Sequence, residues 1–150
     1  MLHSAEVYGK LKPKASALVD DILRLSKKAA PDVFLRPNTE KNDRLMKMEE
    51  LALWLAGAMQ ALGAAERQAV FETLLDRLEI GLREAGVGDV AVAHQMNDMA
   101  AALHGRLQRY GPLIAAKDWV GLESAVTEHH LPAARVVALK NWLPDTHLMV

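Results

Sequence analysis

The run Leu82-Arg83-Glu84-Ala85-Gly86-Val87-Gly88-Asp89-Val90 closes one long amphipathic segment and opens another within a few residues, so it fixes a helical corner. Gly86 falls where a helix C′ residue needs the left-handed backbone region, which glycine enters without the Cβ clash that penalises other residues. Asp89 suits the N-cap of the following helix. There its carboxylate can accept from free amides and meet the positive end of the dipole.

Periodicity on both sides extends this reading into an all-α, single-domain bundle of five to six helices spanning residues 1–150. Its core is expected over about 14–130, followed by a C-terminal helix over 132–143 and a loose tail. A first helix is expected over Lys14 to Ala30, with Leu18, Ile22 and Leu25 on one stripe, Pro13 at its start and Pro31 closing it. The polar stretch from Asp32 to Asn42 reads as a loop, with Asn42 or Asp43 capping a central helix. In that helix Leu45, Met48, Ala52, Leu55, Met59 and Leu62 form a stripe that Leu51, Trp54 and Ala58 widen almost to all-round burial, and Gly63 ends it. Ala65 to Ala85 follows as a helix with Phe71, Leu75, Leu78 and Leu82 inward. After the corner, Val92, Met96, Met99, Leu103, Leu107 and Tyr110 mark another, stopped or kinked at Gly111-Pro112. Asp118 caps a shorter helix through His130, and Pro132 opens the last.

Composition supports helices and narrows function. Half the residues are hydrophobic but only 5% are aromatic, so Leu, Ala, Val and Met must build the core. With no cysteine, a disulfide scaffold, thiol catalysis and Cys-ligated metal centres are excluded. The first residues lack a basic region followed by an apolar core, so the mature protein is expected to start here. The uncharged run from Leu51 to Ala65 is shorter than the roughly 20 apolar residues of a membrane span. Net charge is -1, from +4 over residues 1–48 and -5 over the rest. That asymmetry permits weak contact of the front with anionic lipid or RNA, while near-neutrality argues against dedicated nucleic-acid binding.

Catalytic and metal signatures are missing. His94 and His104 are ten apart, His129 and His130 are adjacent, and no Glu-x-x-His pair occurs, so no metal or other cofactor is expected. Gly86-Val87-Gly88 has neither the strand and third glycine of a dinucleotide fingerprint nor the Gly-Lys-Ser/Thr of a phosphate loop. No serine lies in a nucleophile elbow. Gly57, Gly81 and Gly105 interrupt helical segments, either because neighbouring helices approach closely or because a groove there admits a partner helix. Met48, Met96 and Met99 lie on core stripes, whereas Met46 lies off its stripe and is a candidate contact. Trp119 and Trp142 could anchor the C-terminal unit or meet a membrane interface. Arg83 could bind a partner or simply complement the helix terminus.

The corner itself, with Met96, Met99, Gly105-Arg106 and Tyr110 downstream, resembles the ubiquinol-cytochrome c chaperone family, and a bacterial member of it. That family carries an L-R-E-M-G-V-G-D corner and then a helix ending in G-R-x-x-x-Y. Ala85 here replaces the methionine, and Leu103-His104 replace an aromatic pair; a fainter echo lies at Pro37-Asn38-Thr39 and Asp43-Arg44-Leu45. The likeness runs over about residues 30–128 and implies a non-enzymatic assembly factor, cytoplasmic and peripheral to the inner membrane. Its implied partner is cytochrome b, or a related membrane subunit, during biogenesis of the cytochrome bc1 complex, with a second assembly factor or a ribosome as further partners. The expected contact residues are Met46, Arg83, Glu84, Gly86, Val87, Gly88, Asp89, Arg106 and Tyr110. The residues alone leave open a general helical interaction module or homodimer, and a small helical metal-dependent enzyme.

Overall fold

A computed structural model describes residues 4–29 and 40–143, with side chains from 13–27 and 47–143. The described residues form an all-α bundle of six helices: α1 (Ser4–Ala29), α2 (Glu40–Met59), α3 (Ala64–Glu84), α4 (Asp89–Ala115), α5 (Trp119–Glu128) and α6 (Ala134–Trp142).

The interior is organised around α2. Every residue from Met48 to Ala58 is buried, including Leu53, Leu55 and Trp54, which is the all-round burial that the stripe of Leu and Ala predicts. Helix α1 lies against α2 and α3, and α4 lies against α2, α3 and α5. Ala15, Val19, Ile22 and Ser26 form the buried face of α1 at helical spacing. Exposed pairs fasten α1 to α3: Lys14 Nζ reaches Glu66 at 2.7 Å, and Arg77 pairs with Asp20. Helix α6 closes over α2 where Gly57 makes room, since a Cβ there would stand 2.7 Å from Leu139 Cδ1. Trp142 meets Trp54 edge to face at 5.5 Å.

Several boundaries differ from the sequence expectation. Helix α1 begins at Ser4, so Pro13 lies inside it rather than at its start. The expected Pro31 stop and most of the loop after it lie outside the described residues, and α2 already begins at Glu40. Helix α2 ends at Met59, and Gly63 instead caps α3, its amide donating to Glu66 Oε1 at 3.2 Å. Helix α4 continues through Pro112 to Ala115. Burial of Tyr110 and Ile114 on either side holds that turn against the roughly 3 kcal/mol that an interior proline costs. Asp118 caps α5 as expected, accepting from Gly121 N at 2.9 Å. No helix among the described residues is long and apolar enough to cross a membrane.

Candidate functional site

The corner between α3 and α4 is a Schellman turn. Gly86 has φ +85°, its amide donates to Arg83 O at 3.0 Å, and the Val87 amide donates to Leu82 O at 3.1 Å. The N-cap of α4 is Gly88, in extended conformation, and not Asp89. Asp89 moves into the first helical turn, where it still faces the positive dipole end and takes the Arg83 guanidinium at 2.5 Å. Arg83 also holds Glu79 at 3.3 Å. These carboxylates, Asp89 first and Glu79 second, push the Arg83 pKa further up. Arg83 therefore straps the two helix ends together across the corner.

Beside the corner, α2, α3 and α4 leave an open groove of about 440 Å³. Its floor is Met48 and Leu51 of α2; Leu78, Gly81 and Leu82 form the α3 wall, and Met99 and Ala102 the α4 wall. Lys47, Gln95 and Asp98 stand at its edge. A Cβ on Gly81 would meet nothing within 4 Å, so this glycine widens the groove and does not serve close packing as Gly57 does. At the other end of the α3 and α4 walls lies a second depression of about 480 Å³, over Ala56, Met59, Phe71 and Leu107, rimmed by Arg67, Gln68, His104 and Gln108.

Apart from these surfaces, a buried polar cluster is built on two adjacent carboxylates of α2. Glu49 accepts from Arg106 Nε at 2.7 Å, Tyr110 Oη at 2.5 Å and Arg109 Nη1 at 3.3 Å, and His129 Nδ1 stands 3.8 Å away. Glu50, its side chain 1% exposed, accepts from Arg135 and from Trp54 Nε1, the latter at 3.2 Å. Burial pushes the Glu50 carboxyl pKa up, against the opposing pull of Arg135 and Trp54. Burial, then the hydrogen bond to Glu49, likewise raise the Tyr110 hydroxyl. The cluster ties α2 to α4 and to α6, and within it the buried Arg135 Nη2 has no hydrogen-bond partner.

The expected contact residues are thus distributed unevenly. Arg83, Glu84, Gly86, Gly88 and Asp89 are exposed at the corner and Val87 is half-buried there. Tyr110 is 0% exposed and Arg106 is largely buried, both turned inward onto Glu49. The Gly-Arg-x-x-x-Tyr ending of α4 is therefore a clamp, because residues four apart on α4 face α2 together. The Met46 side chain lies outside the described residues. Sequence reasoning missed Glu49, Glu50, Arg109 and Arg135, although adjacent acids inside an apolar run signal a buried partner. It also missed Asp98 and Leu78 as groove residues. Among the described residues no group of His, Asp or Glu is placed to hold a metal ion.

A family model described as ubiquinol-cytochrome C chaperone matches residues 44–141, which takes in α2 from its first turns, all of α3, α4 and α5, and nearly all of α6. No curated protein and no solved structure matches the chain.

Proposed function

We propose, from the premise that this chain belongs to the ubiquinol-cytochrome C chaperone family, that it is a non-enzymatic assembly factor holding a hydrophobic membrane subunit, cytochrome b or a close counterpart, while the bc1 complex is built. The observation that carries this reading is the open groove beside the corner. It presents half-buried Leu78, Leu82 and Met99 over a floor that includes the buried Met48, and Gly81 keeps it wide. Unbranched methionines conform to varied apolar partners, and a helix seats in such a groove through side chains at i, i+3 and i+4. The corner residues Arg83, Glu84, Gly86, Val87, Gly88 and Asp89 form the adjoining surface, available to the client or to a second assembly factor. The protein acts in the cytoplasm, peripheral to the membrane into which its client inserts.

Gly81→Leu tests this without unfolding the chain. The position is helical and open, so leucine relieves the helical cost of glycine, about 1 kcal/mol, while its side chain fills the groove. In cells depleted of the native protein the variant should be folded by circular dichroism yet fail to restore bc1 complex. Full complex yield with a folded Gly81→Leu protein would remove the groove from the client site. A photocrosslinker placed at position 81 should capture cytochrome b; capture of a different subunit alone would reassign the client.

A further inference from the structure

We infer that the groove recognises the end of an apolar helix that carries Lys or Arg at its flank, the apolar face seating on Met48, Leu78 and Met99 and the cationic flank meeting Asp98 and Glu84. This rests on the client reading of the groove and adds the chemistry that selects the client.

The argument is one of charge placed beside apolar surface. At the α1 surface, carboxylates have cations at hand: Asp20 has Arg77, Asp21 has Arg24 and Glu66 has Lys14. Around the groove the balance is acidic. Between residues 79 and 98 the chain carries Glu79, Glu84, Asp89 and Asp98 against Arg83 alone, a balance of -3. Arg83 is already shared between Glu79 and Asp89. Asp98 lines the groove, exposed, and forms no ion pair among the described residues. Glu84 is likewise exposed, one helical turn beyond Gly81 on the same face. Lys47, on the α2 lip, already has an interaction of its own.

An apolar segment with an anionic flank would thus meet like charge at the moment of docking, which suppresses wrong partners. One with a cationic flank gains at the same place. Membrane helices carry Lys and Arg in excess at their cytoplasmic ends, so this chemistry marks such an end and distinguishes it from an arbitrary apolar helix. A bare apolar site would lack that discrimination.

The test uses the full chain and three labelled water-soluble helical peptides that share one Leu/Met face and end in a lysine, a glutamine or a glutamate cluster. By fluorescence anisotropy the lysine peptide should bind at least about tenfold tighter than the glutamate peptide. That advantage should shrink as salt is raised. The double variant Asp98→Lys, Glu84→Lys should reverse the order, and Gly81→Leu should abolish binding of all three. Equal binding of the three peptides, still lost in Gly81→Leu, would overturn the charge selection and leave the client groove standing. Binding untouched by Gly81→Leu, or no binding at all, would sink the client groove together with the inference. A dimer in sedimentation that Gly81→Leu dissociates would assign the groove to a second copy and overturn both as well.

Discussion

Gly86 and Tyr110 carry opposite lessons about single residues. Gly86 holds φ +85° with open space around its Cα, so its requirement is purely one of backbone conformation. Gly86→Val should cost about 1 to 3 kcal/mol, the range for a residue forced into a sparsely allowed region. Chemical denaturation measures this, and an unchanged midpoint would show that the corner can be closed another way. Tyr110 lies on the same sequence motif that suggests a surface, yet its hydroxyl donates to buried Glu49. Tyr110→Phe should therefore destabilise by about 1.5 to 3 kcal/mol, the range for a hydrogen bond to a charged group. A Tyr110→Phe protein with wild-type stability but defective complex assembly would return Tyr110 to a partner surface.

At the scale of elements, the glycines separate helix packing from helix shape. Gly57 lies where α6 crosses α2, and a methyl group there presses on buried Leu139. Gly105, in α4, faces open space. Gly105→Ala should raise stability by about 0.5 to 1 kcal/mol, since it restricts the unfolded chain and strains nothing. Gly57→Ala gains the same propensity but must move Leu139 in a close-packed interior, so its net gain should be smaller or negative. Thermal melts of the two variants make the comparison, and an equal gain would mean that the α2 and α6 contact is looser than its geometry. The prolines make a related point. Pro13 reads as a helix start and Pro112 as a stop or a kink, and each is carried inside a helix.

For the molecule as a whole, Glu50 links stability to pH. Burial raises its folded-state pKa above the ordinary 4.5, so the folded chain holds that proton more tightly than the unfolded chain does. The resulting contribution is full below the unfolded value and is lost as pH rises through the folded one. Glu66 runs the other way. The Lys14 ammonium, and then the Gly63 amide, lower its pKa, so its contribution is present above the unfolded value and lost on acidification. Glu50→Gln should remove the loss that begins above pH 4.5 and flatten the stability curve there relative to wild type. Denaturant midpoints across that window check the sign. A wild-type curve that falls no more steeply than the variant's would show that Arg135 fully compensates the burial.

Which parts of this protein could be read from the chain alone follows from the range of the interactions. Helix number, the all-round burial of α2, the left-handed Gly86 and the Asp118 cap depend on residues within a turn or two of one another, and local periodicity and capping chemistry encode them directly. The family resemblance at the corner was legible for the same reason. The Glu49 and Glu50 clamps, the inward turn of Tyr110, the survival of α4 past Pro112 and the opening at Gly81 join residues tens of positions apart. Neither a propensity nor a spacing states which buried carboxylate a distant arginine will find, or which of three helical glycines will face a neighbour and which a groove. Those outcomes are settled only when α2, α3, α4 and α6 pack, because desolvation makes each buried charge take whatever partner the packing brings within reach.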